Sequence, residues 1–325
     1  RPYHKDFIFA PNVKAVQIGP PSRHAVLWWI WFQFSIPFIL WKHKVDLFLS
    51  PDGYIPTWGK TPALPVIHDI NFEHQNTNLD PVSGAYMRYF FPRFAHKSKR
   101  VATVSEFSKQ DIAACYGLNP AKIDVVYNGV SDKFTALSDT DKKIQREKWS
   151  QGENYLLFIG SLNPRKNITG MLQAYQLYRE KGGTAKFILA GANMLGAKNI
   201  EKQHAKNPFK SDIIFTGRLG EQELIELLGA AQALCFVSHF EGFGIPILEA
   251  FKSDCPVITG NNTAMPEVAS DAAWLCNSQN SKAIAKAMLE SEKEEARQFY
   301  IRKGREQVKK FSWERSAEMM WHSIK

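Results

Sequence analysis

The second half of the chain alternates short apolar runs with stretches of helical periodicity. Apolar runs with the length of buried strands occupy residues 155–160, 186–191, 213–217, 233–238, 256–259 and 273–276. Between most of them, apolar side chains recur at the spacing of one helix face, for instance at Ile168, Met171, Leu172 and Tyr175. This alternation predicts a parallel sheet that is covered by helices on both faces.

The first half shows a looser form of the same alternation. Apolar runs that predict strands lie at residues 6–10, 13–18, 45–50, 65–69, 101–105 and 123–130. Polar and charged residues dominate from 131 to 153, which places a domain boundary in that stretch. We therefore predict an N-terminal domain at residues 1–135, a C-terminal domain at 136–310 and a last amphipathic helix at 311–325.

The most apolar stretch of the chain runs from residue 25 to residue 41 and is rich in tryptophan. Its 17 residues fall just below the length of a membrane-spanning helix, and it contains Gln33 and Pro37. We interpret it as a packed helix. The alternative is a membrane-facing helix, with tryptophans at its ends and Lys42 and Lys44 beside it.

Composition narrows the classes of partner. The net charge of +9 indicates an anionic partner, such as a nucleotide sugar, an anionic lipid or a nucleic acid. No basic tract is interleaved with aromatic residues, so nucleic acid is not expected. The four cysteines form no C-x-x-C pair, which indicates reduced thiols in a cytoplasmic protein. The first residues also lack a signal-peptide pattern.

The segment that ends at Glu249 reads as a strand, a glycine loop and the start of a helix. Gly242 and Gly244 indicate a tight turn, and a helix is predicted to open near Ile245. Free amide groups and the helix dipole would then favour a phosphate in front of the loop. Glu241 and Glu249 bracket the loop, and a carboxylate can accept hydrogen bonds from two adjacent sugar hydroxyls. The alternative is an ordinary turn whose glutamates face solvent.

A second candidate loop follows the strand predicted at residues 155–160. It places Arg165 and Lys166 at the carboxyl end of a strand, and two adjacent cations can neutralise a diphosphate. Asn167 is a candidate cap for the helix that follows. The alternative is an ordinary basic surface loop.

A third candidate is the pair His68-Asp69, which ends the strand predicted at residues 65–69. Ligands of open α/β sheets bind at this edge. A neutral His68 could hydrogen-bond a sugar hydroxyl, with Asp69 holding its tautomer. The alternative is a buried histidine beside an aspartate that caps the next turn.

These segments resemble the signature motifs of the family 4 retaining glycosyltransferases. Residues 241–249 match E-G-F-G-x-P-x-x-E at every specified position, and residues 160–167 match G-x-x-x-x-R-K-N. The His-Asp pair, the T-V-S-x-x-S element at residues 103–108 and the Asn-Gly-Val segment at 128–130 are similar to further family elements. Two separate motifs match at the same time, which argues against a chance resemblance.

The resemblance implies a role for each matched residue. Glu241 and His68 would contact the donor hexose, and Glu249 would hold the nucleotide ribose. Arg165 and Lys166 would stabilise the departing nucleoside diphosphate. Further donor contacts would come from Gly160, Arg218, Gly242, Phe243, Gly244 and Ile245. Arg218 would flank the nucleotide base, although arginines at strand ends are commonly surface groups.

The resemblance also implies the fold, which is α/β of GT-B type, with two Rossmann-like domains that face each other across a cleft. The last helix would cross back to the first domain. The family's opening strand and glycine-rich turn are not found before Gly19. The N-terminal domain is therefore expected to lack its first strand, turn and helix.

The implied activity is transfer of a hexose, with mannose preferred, from a GDP- or UDP-linked donor to a saccharide or lipid-linked acceptor. The anomeric configuration would be retained, and the product would serve surface polysaccharide synthesis. The protein would be cytoplasmic, with peripheral contact at the inner face of the plasma membrane. Two alternatives stay open, a nucleotide-sugar-binding subunit without turnover and a sugar-nucleotide epimerase of the same fold.

No metal or further cofactor is expected from the resemblance. Asp139-Thr-Asp141 has the D-x-D spacing with which other glycosyltransferases hold a divalent metal. No apolar strand precedes this motif to aim it at a ligand. We interpret it as the start of a solvated helix.

Overall fold

The computed structural model describes residues 8, 10–19, 25–74, 81–192 and 198–325. The chain divides into two compact units. Unit 1 consists of residues 1–103, 109–124 and Ile324, and unit 2 consists of residues 104–108, 125–323 and Lys325. The domain boundaries predicted above, and the crossing of the last helix, stay predictions.

The first part of the chain contains short strands between helices. In order, the elements are α1 (Ala25–Ile30), a π-helical turn (Trp31–Ser35), α2 (Ile36–Lys42), β1 (Phe48–Ser50), β2 (Ala63–Pro65), α3 (Asn71–His74), α4 (Pro81–Lys97), β3 (Val101–Thr103), α5 (Glu106–Tyr116), a 3-10 turn (Pro120–Lys122) and β4 (Ile123–Val125). Strand β1 pairs in parallel with β2, and β3 pairs with β4. A parallel bridge between Val66 and Ala102 connects the two pairs. The strands predicted at 45–50, 101–105 and 123–130 contain β1, β3 and β4, but each observed strand is shorter than predicted. The strand predicted at 65–69 is displaced, because β2 ends at Pro65, and the strand predicted at 13–18 is wrong. The strand predicted at 6–10 lies largely outside the described residues.

The rest of the chain alternates strands and helices regularly. The elements are α6 (Asp139–Ser150), β5 (Tyr155–Ile159), a 3-10 turn (Pro164–Lys166), α7 (Ile168–Glu180), β6 (Lys186–Ala190), α8 (Lys198–Lys206), a 3-10 turn (Lys210–Asp212), β7 (Ile213–Gly217), α9 (Glu221–Ala230), β8 (Ala233–Phe236), α10 (Ile245–Lys252), β9 (Val257–Gly260), α11 (Met265–Ala269), β10 (Ala273–Cys276), α12 (Ser281–Glu290), α13 (Glu294–Val308) and α14 (Trp313–Ile324). All six strands predicted for this half are confirmed, and they form one parallel sheet.

The strand order of this sheet defines where a ligand can bind. The order is β10-β9-β8-β5-β6-β7, so β5 pairs with both β6 and β8. The chain runs outward from β5 in one direction, then returns to β8 and runs outward in the other. Loops that follow two such neighbouring strands leave a crevice at the carboxyl edge of the sheet. The two candidate loops of unit 2 follow β5 and β8, so both lie at this switch point.

The aromatic stretch forms a helix that is interrupted by the π-helical turn. Its inner face packs Phe32, Ile36 and Leu40 into an apolar cluster of unit 1, so this face of the helix is packed as predicted. Among the helices that the structure describes, none is both long and apolar enough to cross a bilayer.

The D-x-D motif begins α6, as predicted. Ser138 is the N-cap, and its hydroxyl accepts a hydrogen bond from the amide of Asp141.

Candidate functional site

The loop after β5 is held in place by two asparagines. The side chain of Asn163 accepts a hydrogen bond from the amide of Lys166 at 3.3 Å and so closes the 3-10 turn. The side chain of Asn167 donates to the carbonyl of Val237 at 3.0 Å and to that of Ser278 at 2.7 Å. Asn167 occupies the N-cap position of α7, as predicted, but its side chain makes no bond to the first turn of the helix. It ties the loop after β5 to the loop after β8.

Three charged side chains meet between these loops. The Nζ of Lys166 lies 2.6 Å from Oε1 of Glu241, and an Nη of Arg165 lies 3.2 Å from Oε2. Arg165 also donates to the carbonyl of Phe240 at 2.8 Å. Lys166 and Glu241 are buried, whereas a quarter of the Arg165 side chain is exposed. Because two cations share one carboxylate, the cluster keeps a positive charge with which it can bind an anion.

The glycine loop that follows Glu241 contains backbone amides for which the described residues offer no acceptor. Gly244 has a φ of +106°, and an added Cβ would lie 3.1 Å from Cδ1 of Ile247, so only glycine suits the position. Helix α10 begins directly after it, at Ile245. Within the part of the chain that the structure describes, no acceptor takes a hydrogen bond from the amide of Phe243 or Gly244. Such amides at a helix N-terminus can bind a phosphate or sugar oxygen.

Glu249 lies one turn into α10 and is partly buried. Burial raises the pKa of its carboxyl group to about 7. No hydrogen bond or ion pair to its carboxylate occurs among the described residues. An isolated carboxylate in a desolvated position costs stability, and positions of this kind are common where a ligand supplies the missing partners.

Two further predicted site residues are carried by other elements. Arg218 follows β7, is exposed and makes no described ion pair with the cluster. His68 belongs to unit 1, is exposed rather than buried, and its Nε2 lies 2.9 Å from the carbonyl of Pro51. Asp69 accepts a hydrogen bond from the amide of Asn71 at 3.0 Å, so it caps α3. The roles assigned to His68 and Arg218 stay predictions.

The structure adds contacts around the glycine loop that motif spacing did not show. The hydroxyls of Ser105 and Ser108 both donate to the carbonyl of Gly242, at 2.7 Å and 3.2 Å. The amide of Glu241 donates to the hydroxyl of Thr263 at 3.2 Å. The family-like T-V-S-x-x-S spacing was visible, but its contact with a loop more than a hundred residues away was not.

The N-cap of α5 also supports the glycine loop, since the Ser105 hydroxyl accepts from the amide of Ser108 at 3.0 Å. We expect Ser105→Ala to lower the free energy of unfolding by about 1–2 kcal/mol and to raise the KM for donor several-fold. Ser138→Ala removes only the cap of α6, so it should cost about 1 kcal/mol and leave KM unchanged. Urea unfolding and initial rates measure both effects. Equal KM values in the two variants would contradict a positioning role for Ser105.

Two family models match the chain. The model described as glycosyl transferases group 1 matches residues 139–307, just over half of the chain. The model described as glycosyltransferase family 4 matches residues 2–134. Both agree with the motifs from which the resemblance was drawn.

Several relatives align with most of the chain. O-antigen chain mannosyltransferase B of Escherichia coli is 30% identical over 275 residues, which cover 84% of this chain and 72% of the relative. O-antigen chain mannosyltransferase RfbU of Salmonella typhimurium is 28% identical over 223 residues, which cover 68% of this chain and 58% of the relative.

Solved structures show the same architecture. HepE of Anabaena, in complex with UDP and glucose, superposes with a TM-score of 0.73 at 16% identity, covering 88% of this chain and 79% of that one. WaaG, a glycosyltransferase involved in lipopolysaccharide biosynthesis, superposes with a TM-score of 0.70 at 16% identity, covering 90% and 82%. The predicted α/β fold of GT-B type is therefore confirmed.

Proposed function

The chain belongs to the group 1, family 4 glycosyltransferases, and from that premise we propose that it transfers a hexose from a nucleoside diphosphate sugar to a saccharide or lipid-linked acceptor. Mannose is the sugar that we propose, since O-antigen mannosyltransferases are among its relatives. Their names also favour a growing surface polysaccharide as acceptor.

The observation that carries the proposal is the cluster of Arg165, Lys166 and Glu241 at the switch point of the sheet. It lies in the same pair of loops as the amides of Phe243 and Gly244. A diphosphate carries negative charge that the two cations can neutralise, and hexose hydroxyls can donate hydrogen bonds to the carboxylate of Glu241. Glu249 then supplies a carboxylate for the two ribose hydroxyls.

In the proposed reaction the bond between the anomeric carbon and the diphosphate oxygen breaks. The acceptor oxygen forms its bond to the same face of that carbon, and its proton passes to the departing phosphate. The configuration is therefore retained. Charge develops on the leaving diphosphate, where Arg165, Lys166 and the loop amides stabilise it, so the proposed chemistry uses no metal. Contact of His68 with the donor sugar is part of the proposal and rests on the family resemblance.

The proposed location is the cytoplasm, with peripheral contact at the inner face of the plasma membrane. Nucleotide sugars and reduced thiols both suit that compartment. In the structure Cys235, Cys255 and Cys276 are buried and unpaired, and the thiol of Cys115 is free and exposed.

Turnover tests the proposal. The chain is incubated with GDP-mannose or UDP-glucose, with and without a mannose-terminated oligosaccharide, in the presence of EDTA. We expect nucleoside diphosphate to be released only when donor and acceptor are both present, and NMR to show the donor's anomeric configuration in the product. Binding without release would indicate a nucleotide-sugar-binding subunit. Interconversion of the donor sugar without release would indicate an epimerase, and loss of release in EDTA would overturn metal independence.

A further inference from the structure

Unit 1 exposes a row of aromatic side chains on one face of its first helical segment. Phe34, Phe38 and Trp41 follow one another at the i, i+4, i+7 spacing and are 51%, 55% and 74% exposed. Trp58, in the loop between β1 and β2, is 52% exposed, and its ring lies 6.3 Å from that of Phe34. These four side chains are called the aromatic face below. Contiguous exposed apolar surface of this kind marks an interaction site.

The aromatic face is held outward by the structure behind it. Pro37 has no N–H to donate to the carbonyl of Gln33, and the indole of Trp58 donates to that carbonyl instead. The side-chain oxygen of Gln33 accepts from the amide of Thr57 at 2.9 Å and from its hydroxyl at 2.6 Å. Gln33 itself is buried. The loop that carries Trp58 is thereby fixed to the helix, so the exposed rings form one continuous surface.

A groove of about 270 Å³ opens beside Trp41 and Trp58. Its walls also include Pro37, Leu40 and Phe48. The groove extends the apolar surface from the aromatic face into unit 1. Because much of its wall is apolar, the groove could hold a hydrocarbon chain.

Positive charge borders the aromatic face. Lys42 and Lys44 follow Trp41 and are exposed, and Lys60 lies on the groove wall near Trp58. The first acidic residue after Trp41 is Asp46, which is also exposed. Residues 25–45 contain no Asp or Glu. Tryptophan beside lysine is the composition of a protein surface at a membrane interface, whereas lysine is depleted where proteins bind each other.

We propose that the aromatic face binds an anionic lipid bilayer. The rings lie at the level of the headgroups, the lysines contact lipid phosphates, and the groove opens toward the acyl chains. The inference rests on the membrane contact in the proposed function and assigns it to a surface that involves none of the residues of the Arg165 and Glu241 cluster. It would hold the enzyme where a lipid-linked acceptor is found.

Vesicle co-sedimentation tests the surface without donor or acceptor. We expect the full chain to bind phosphatidylglycerol vesicles more tightly than phosphatidylcholine vesicles, and high salt to weaken binding. The double variant Phe38→Ser/Trp41→Ser should lower the partition coefficient about tenfold or more. The matched control is Phe299→Ser/Trp321→Ser, which removes 44% and 56% exposed side chains of unit 2 and should bind as the wild type does.

The charge contribution is tested in the same assay. Lys42→Glu/Lys44→Glu should weaken binding to anionic vesicles by about tenfold or more, whereas Lys282→Glu/Lys286→Glu, with the same change in net charge on α12, should have a much smaller effect. Circular dichroism confirms that each variant folds. Turnover with a water-soluble acceptor should be unchanged in all four variants, so failure of the surface and failure of the proposed reaction are separable.

Three results would overturn the proposal. The first is equal binding of the wild type to both kinds of vesicle. The second is no difference between the aromatic-face variant and its control. The third is a wild-type dimer that dissociates in Phe38→Ser/Trp41→Ser, since the aromatic face would then bind a second copy of the chain.

Discussion

Arg165→Ala is expected to lower kcat by about 100- to 1000-fold with little loss of stability. Removal of one preorganised donor from a developing negative charge typically raises the barrier by about 2.7–4 kcal/mol. Arg165 is the partly exposed cation of the cluster, and Lys166 still pairs with Glu241 after its removal. The loss should appear in kcat measured at saturating donor, and the free energy of unfolding should fall only slightly.

The matched control is Arg179→Ala. Arg179 lies in the helix that follows the same loop, and its Nη1 is 2.6 Å from a carboxylate oxygen of Asp212. Its loss should reduce stability and leave kcat unchanged. If Arg165→Ala keeps a kcat close to that of the wild type, the assignment of this arginine to the leaving diphosphate is wrong.

Lys166 is a less informative position for the same test. It is buried against Glu241, and its Nζ lies 4.9 Å from the centre of the Phe236 ring. Removal of one partner of a buried ion pair leaves an uncompensated charge and typically costs about 3–5 kcal/mol. A loss of activity in a Lys166 variant would therefore combine unfolding with catalysis.

Glu249→Gln is expected to stabilise the protein above pH 7 and to weaken nucleotide binding. Burial raises the folded-state pKa of this carboxyl from 4.5 to about 7. The folded protein therefore holds the proton more tightly than the unfolded chain does. The resulting stability is complete below pH 4.5 and is lost as the pH rises through 7. Glutamine stays neutral, so the variant should exceed the wild type by on the order of 3 kcal/mol at pH 8 and match it near pH 4.

Urea unfolding across this pH range measures the difference between variant and wild type. Glu292→Gln is a control of opposite sign. Burial raises the pKa of Glu292, but hydrogen bonds from Thr184 and Tyr178 outweigh burial and lower it. That variant should therefore lose stability at pH 8. A Glu249→Gln variant that is less stable than the wild type at pH 8 would show that the carboxylate has a partner within the folded protein.

The same Glu249 variant should bind nucleotide about 10- to 100-fold more weakly, because hydrogen bonds to a charged acceptor contribute about 1.5–3 kcal/mol. For the wild type, GDP or UDP at a hundred times its Kd should add about 2.7 kcal/mol of stability. Thermal unfolding with each nucleotide measures the increment in both proteins. An equal increment in both would remove Glu249 from the nucleotide site.

The sheet of unit 2 was predictable because its signal is local. Each of its strands is a continuous apolar run, and this is the pattern expected of a parallel strand that is covered by helices on both faces. In the first half three strands were predicted too long and the strand at 65–69 was displaced. Strands β1 to β4 are three residues each, and the apolar residues beside them pack as loops. Residues such as Ile67 and Ile70 are buried without belonging to a strand.

The site residues were predictable where they lie close together in the chain. The adjacent pair Arg165 and Lys166 indicated a diphosphate site, and the spacing of Glu241 and Glu249 around the glycine loop indicated a sugar site. The ion pair between Lys166 and Glu241 joins positions 75 residues apart, and no local sequence pattern predicts that contact. For the same reason the side chain of Asn167 was assigned to a helix cap, whereas it binds two distant carbonyls.

The sequence by itself determined the family, the alternation of strands and helices in unit 2, and the candidate chemistry of its two loops, because these depend on residue type at short spacing. Only the tertiary structure decided which charges form ion pairs and which hydroxyls bind the glycine loop. It also placed the carboxyl group of Glu249 in a partly buried position without a hydrogen-bond partner among the described residues. It also decided which face of the aromatic helix packs inward and which stays exposed. Burial and pairing are properties of surfaces that meet in space, so they arise only when distant segments fold together.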